Sequence, residues 1–117
     1  RNELENTDFV PFRRLAASDL QSALWAMGAH VVYSDIDPDS AATVSPVVTD
    51  AIVRGHMGFD GVLIADDVSM KALAGTLADK VRQTIAAGMD VTMLCNSTLE
   101  DKAAALAACP RVAPRAA

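Results

Sequence analysis

Apolar runs alternate with short polar stretches along this chain, and the runs follow two different periods. Val62-Leu63-Ile64-Ala65 is short, rich in β-formers, preceded by the turn Gly58-Phe59-Asp60-Gly61 and followed by Asp66-Asp67. That pattern predicts a buried strand ending on two carboxylates. Leu24 to Tyr33 is a longer apolar run broken by Gly28 and His30. It predicts a strand covered on both faces, with Gly28 marking a close approach of another backbone or of a ligand. Val91 to Cys95, closing on Asn96, predicts a third strand.

Helical spacing fills the intervals. Arg1 to Ala17 predicts a helix capped by Thr7 or Asp8, with Pro11 tolerated in its first turn and Phe9, Phe12, Leu15 and Ala16 on one face. Ser18 to Ser22 reads as a loop. Ser45-Pro46 is a cap followed by proline, which starts a helix running to about Arg54 and stopping at Gly55. Its inward residues are expected to be Val47, Val48, Ala51 and Ile52, with His56 turned to solvent. Met70 to Ala87 carries a stripe of Met70, Leu73, Ala74, Leu77, Val81 and Ile85 and ends at Gly88 as a left-handed terminal residue. Ser97 or Thr98 caps a last helix through Leu99, Ala103 and Leu106, and Pro110 stops it. Arg111 to Ala117 reads as a tail.

The order is a helix followed by three β-α units, which implies an α/β fold with a parallel sheet and helices packed outside. Three strands alone leave two edges unpaired. A closed (β/α)8 TIM barrel takes ~250 residues, so residues 1–110 are expected to form about the last three βα units of one, followed by the tail 111–117. The chain opens on Arg1 rather than Met, which suggests processing or a longer parent chain.

Composition narrows the function. With 117 residues the chain makes one domain, and 51% hydrophobic with 21% charged residues excludes disorder. The net charge of −5, without a run of Lys or Arg, argues against nucleic acid or an anionic membrane as partner. No apolar run approaches the ~18–20 residues of a membrane span, and no signal peptide is visible. Cys95 and Cys109 lack zinc-ligand spacing and read as reduced thiols of a cytoplasmic protein. No metal or organic cofactor is expected. Asp35, Asp37 and Asp39 alternate like a calcium loop, but the glycine and the distal Glu of an EF-hand are missing, so they read as turns and caps.

The carboxylate pair carries the candidate chemistry. Ligands of α/β folds gather at the carboxyl ends of strands. Strand parity puts Val62, Ile64 and Asp66 on one side and Leu63, Ala65 and Asp67 on the other, so the two acids have different jobs. With Asp66 on the ligand side, Asp67 turns toward a neighbouring loop, where it can accept backbone N–H groups. The plain structural alternative is that both acids cap the next helix. His30 is either a satisfied core histidine near its strand end or part of a site lining. A phosphoacceptor domain holding Mg²⁺ also pairs acids after a strand, but it needs an Asp at the end of a later strand, where Cys95-Asn96 stand instead.

Met27-Gly28-Ala29-His30-Val31-Val32-Tyr33-Ser34-Asp35-Ile36-Asp37-Pro38, Ser45-Pro46, Gly58-Phe59-Asp60-Gly61, Asp66-Asp67-Val68-Ser69-Met70, Ala86-Ala87-Gly88-Met89-Asp90 and Leu94-Cys95-Asn96 occur in that order. Together they resemble family 3 glycoside hydrolases, and more closely the bacterial β-N-acetylhexosaminidases of peptidoglycan recycling. The likeness runs from about Thr7 to Pro110. It implies a retaining glycosidase that removes terminal N-acetylglucosamine from muropeptides. Its nucleophile would be Asp66, the first Asp of a Ser-Asp-Asp-Leu-Ser-Met-like motif, in which Ala65 and Val68 replace the Ser and the Leu. Asp67 would be a supporting residue, and Met27 and His30 would wall the sugar pocket. The family's acid/base, a His backed by an Asp, and its sugar-binding Lys-His pair lie upstream of Arg1, and neither His30 nor His56 matches those motifs. The chain alone is therefore expected to hydrolyse little. A truncated, inactive paralogue is the alternative.

Overall fold

The computed structural model describes residues 1–111, so residues 112–117 of the expected tail lie outside the described residues. Strands β1 (Trp25–Gly28), β2 (Val62–Ala65) and β3 (Val91–Thr92) form one parallel sheet in that order. Trp25 pairs with Val62, Gly28 with Ala65, and Ile64 with Val91. The helices are α1 (Asn2–Asn6), α2 (Phe9–Ala16), a π-type helix at Val47–His56, α3 (Leu77–Ala86) and α4 (Leu99–Ala108). The helical lead and the three β-α units are present, and the middle strand has the boundaries its apolar run predicts.

The other elements differ from expectation for local reasons. β1 stops at Gly28 although its apolar run continues to Tyr33, because the backbone then leaves the sheet. The Val31 carbonyl accepts the Ala42 N–H of a 3-10 turn instead of a strand partner. Gly28 is tightly approached, but by side chains: an added Cβ would lie 2.9 Å from Met89 Cε and 3.2 Å from Thr43 Cγ2. β3 ends at Thr92, and the Met93 carbonyl accepts from Val68. The lead helix is broken in two, since the Thr7 hydroxyl donates to the Glu3 carbonyl at 2.6 Å and closes α1. In α2 only Phe9 and Ala16 reach the core, and Phe12 and Leu15 stay exposed.

The expected Met70–Ala87 helix begins only at Leu77. Gly75 takes a left-handed φ of 99°, which no continuous helix accommodates, and Thr76 then restarts the backbone. The Thr76 hydroxyl accepts from the Asp79 N–H while the Asp79 carboxylate accepts from the Thr76 N–H, a reciprocal cap. Met70, Leu73 and Ala74 therefore belong to a folded turn, with Leu73 buried and Met70 exposed. Gly88 behaves as expected, with φ 101° after α3. Thr98 caps α4 by the same reciprocal bonding with Asp101, yet Leu99 and Leu106 are exposed and Ala105 is its buried residue.

Ser45 starts the π-type helix by accepting the Val48 N–H on its hydroxyl at 3.1 Å. The Met57 N–H reaches back five residues to the Ile52 carbonyl at 2.8 Å. The helix buries Val48, Thr49 and Ile52, leaving Val47 and Ala51 outside. His56 is exposed as expected, and also meets Glu5 at 3.4 Å and Arg13 at 3.3 Å.

Two apolar clusters form the core, and the first takes Leu63 and Ala65 from one face of β2. Ala16, Phe59, Leu63, Ala65 and Met89 make one, and Ala41, Val68, Leu73, Val81 and Ala105 the other. Trp25 and Met27, on the opposite side of β1, are 65% and 60% exposed. At the amino ends of the strands, Arg54 spans the layers. It donates to the Phe59 and Gly61 carbonyls and pairs with Asp90 at 2.7 Å, and Asp90 also accepts the Leu63 N–H at 2.9 Å. Both charged side chains are nearly buried, at 14% and 6% exposure. Removing one member strands the other in a low dielectric, which typically costs ~3–5 kcal/mol. Asp90→Ala is accordingly expected to lower the unfolding free energy by about 3 kcal/mol, read as a fall in the urea midpoint of the circular dichroism signal.

Candidate active site

The site forms where β2 runs out of sheet partners. The Asp66 N–H still donates to the Gly28 carbonyl at 3.1 Å, so its backbone is the last that β1 holds. Its half-buried side chain continues the Val62–Ile64 face, the same face that carries Trp25 and Met27. Asp66 Oδ1 accepts from the N–H of Asp67 at 2.7 Å. Oδ2 has no hydrogen-bond partner among the described residues. One oxygen is thus oriented by the protein, and the other remains open.

Asp67 points the other way, as parity predicts, and is 8% exposed. Its Oδ1 accepts from the Ser69 N–H at 3.0 Å and from the Cys95 N–H at 3.1 Å. Its Oδ2 accepts from the Ser69 hydroxyl at 2.7 Å. The Ser69 hydroxyl and N–H hold the carboxyl below its ordinary range, aided by the Cys95 N–H and the nearby His30, while burial acts in the opposite sense. This carboxylate ties the loop after β2 to the loop after β3.

His30 is half-buried and bonded through both ring nitrogens. Nδ1 lies 2.7 Å from the hydroxyl of fully buried Thr43, and Nε2 lies 3.1 Å from the Asp67 carbonyl oxygen. A carbonyl only accepts, so Nε2 carries a proton whatever the state of Nδ1. The two readings of His30 meet here: it stands beside the acids, and its polar atoms face protein. Met27 lies three residues before the bend at His30, its side chain exposed. Thr43 and Ser69 complete the arrangement. Ser69, two residues after an Asp, carries the signature of an Asx turn. Thr43 sits in a polar stretch with no sequence feature to mark it.

Among the described residues no three His, Cys, Asp or Glu side chains converge as metal ligands, and no helix is long and apolar enough to cross a membrane. Asp90 belongs to the opposite end of the sheet with Arg54.

A parallel α/β sheet with a half-open carboxylate at the carboxyl end of its middle strand, and a buried one beside it, defines an α/β protein with an acidic strand-end site. The sequence as a whole matches the glycosyl hydrolase family 3 N terminal domain over residues 1–112, and the chain belongs to that family. It is 42% identical over 98 residues to a beta-hexosaminidase of Alkalilimnicola ehrlichii, covering 82% of this chain and 27% of that protein. It is 37% identical over 117 residues to a beta-hexosaminidase of Chromobacterium violaceum, covering 98% and 32%. The glycoside hydrolase family 3 beta-N-acetylglucosaminidase of Paenibacillus sp. FPU-7 superposes with a TM-score of 0.81 at 31% identity, over 92% of this chain and 20% of that one. The chain thus spans about a third or less of the length of these relatives.

The depressed carboxyl of Asp67 has a consequence for stability. A group whose folded value lies below its unfolded one stabilises the fold above the ordinary value of 3.8, and that contribution disappears as pH falls through the lower folded value. Asp67→Asn, which keeps the shape and loses the charge, should be less stable than wild type near neutral pH. The difference should shrink steadily below about pH 4, where Asp carboxyls protonate. Urea titrations of both proteins across the acid range measure it.

Proposed function

We propose that these residues form about the last three βα units of a (β/α)8 barrel, and that the barrel is a retaining β-N-acetylhexosaminidase whose nucleophile is Asp66. The reading puts it in the cytoplasm, acting on terminal β-N-acetylglucosamine of peptidoglycan fragments. The observation that carries it is the Asp66 carboxylate at the end of β2, with Oδ1 held by the Asp67 N–H and Oδ2 open. Membership of glycosyl hydrolase family 3, and relatives named beta-hexosaminidase, support the substrate class.

In this mechanism Asp66 attacks the anomeric carbon as the bond to the leaving oxygen breaks, and a second group protonates that oxygen. The same group then takes a proton from water, which attacks the anomeric carbon and releases the sugar and a free Asp66 carboxylate. The nucleophile must be aimed at the anomeric carbon, and the Asp67 N–H on Oδ1 fixes the orientation of its carboxylate. Asp67, with both oxygens occupied, supports the loops. Met27 on the Asp66 face suits a wall of the sugar pocket. His30 borders the same end of the sheet, and its ring can contact sugar only through carbon while its nitrogens remain bonded.

Mass spectrometry of the parent protein, treated with a fluorinated N-acetylglucosamine-type donor bearing a good leaving group, tests this. The expected result is a glycosyl adduct on the peptide holding Asp66. Asp66→Asn should lose the adduct and lower kcat by about 10⁴-fold or more, the scale of removing a nucleophile. Activity without an adduct there would place the nucleophile elsewhere. Absence of both would favour an inactive paralogue.

A further inference from the structure

Lys80 lies in the second turn of α3 and is 7% exposed. Its ammonium donates to the Met70 carbonyl at 2.9 Å. Lysine is almost never buried without an opposite charge, because removing an ammonium from water is strongly unfavourable. Yet among the described residues no carboxylate forms an ion pair with Lys80. A leucine or methionine would fill the same space without that penalty. What the ammonium supplies is a charge-assisted bond to one backbone oxygen.

That oxygen ends a turn that begins at the acid pair. The Met70 N–H donates to the Asp67 carbonyl at 3.1 Å, and His30 Nε2 reaches the same carbonyl. Ser69, between them, bonds both carboxylate oxygens of Asp67. The Asp67 N–H orients Asp66. The stretch from Val68 to Gly75 has no helix or strand to hold it. α3, by contrast, is fixed by its reciprocal cap at Thr76 and by the Thr84 hydroxyl, 2.8 Å from that of Thr92 in β3.

We infer that Lys80 is a positioning residue, clamping the turn Asp67–Met70 to α3 and thereby setting the aim of the Asp66 carboxylate. The catalytic half of this statement rests on the reading of Asp66 as nucleophile; the mechanical half does not. Lys80→Met keeps the length of the side chain and removes the donor, and Lys80→Arg keeps a cationic donor.

In the parent protein, hydrogen exchange at the Ser69 and Met70 amides should accelerate at least about 10-fold in Lys80→Met, while the amides of α3 keep their protection. Protection unchanged at Ser69 and Met70, or lost throughout α3 as well, overturns the clamp. Trapping by the fluorinated donor should slow about 10-fold or more in Lys80→Met, on the scale of a sub-ångström misplacement, with KM changed less than about 3-fold and the thermal midpoint held. Lys80→Arg should recover part of that rate. A trapping rate equal to wild type in Lys80→Met overturns the positioning role even where the turn is loosened. Failure of wild type to label at Asp66 would instead overturn the nucleophile reading, leaving the exchange result to decide the clamp.

Discussion

The buried carboxylate of Asp67 is the constraint on which the upper end of this molecule depends. It takes two bonds from Ser69 and one from the Cys95 N–H, and so joins the loops that follow β2 and β3. Parallel strands of four and two residues share few ladder bonds, so loops leaving them would diverge without a cross-link. A charged acceptor serves this purpose better than a neutral one, because three donors converge on it and bonds to an ionised group are the stronger kind. Its carbonyl is used as well, by His30 and by the Met70 N–H. Every polar atom of Asp67 is occupied, and Asp66 is oriented through the amide between the two acids.

The opposite end of the sheet solves a similar problem differently. Arg54 reaches from the π-type helix to two carbonyls before β2 and to Asp90 before β3, and Asp90 also accepts the Leu63 N–H. Gly61 is required there, since an added Cβ would collide with the Leu24 carbonyl and Phe59. Both ends of the middle strand are thus locked by an aspartate that accepts a backbone N–H from a neighbouring segment. The difference lies in the partner. Asp90 is neutralised by a cation, whereas Asp67 is held by N–H and hydroxyl donors and keeps its negative charge beside Asp66.

Sequence patterning captured the features that depend on near neighbours. The β2 run, its terminal acids, the caps at Ser45 and Thr98, and the turn at Gly88 are all set within a few residues, and all are found where the pattern puts them. The features it missed depend on distant contacts. Met70, Leu73 and Leu77 keep helical spacing, but Gly75 and the Thr76–Asp79 cap outweigh it, and Leu73 is buried from a turn instead. Val31 and Val32 look like strand residues, yet Val31 bonds to Ala42 rather than to β2. Thr43 and Lys80 carry no local mark, because their roles arise from residues 13 and 10 positions away. Parity did separate Asp66 from Asp67, since the alternation of a strand is a local property that tertiary packing seldom overrides.

The same geometry limits which of these residues can act as an acid beside Asp66. A retaining glycosidase sets its second carboxyl or equivalent group ~5–5.5 Å from the nucleophile. Asp67 is adjacent in sequence but on the other face of the strand, with both oxygens bonded. His30 is close, but Nε2 is committed to a carbonyl and Nδ1 to Thr43. Neither can deliver a proton to a leaving oxygen without breaking the contacts that fix the loop carrying Asp66. Meanwhile Trp25 and Met27, on the face that Asp66 shares, are exposed, and β1 is an edge strand among the described residues. If Asp66 is the nucleophile, the described residues on this face therefore supply only one of the two groups the reaction needs.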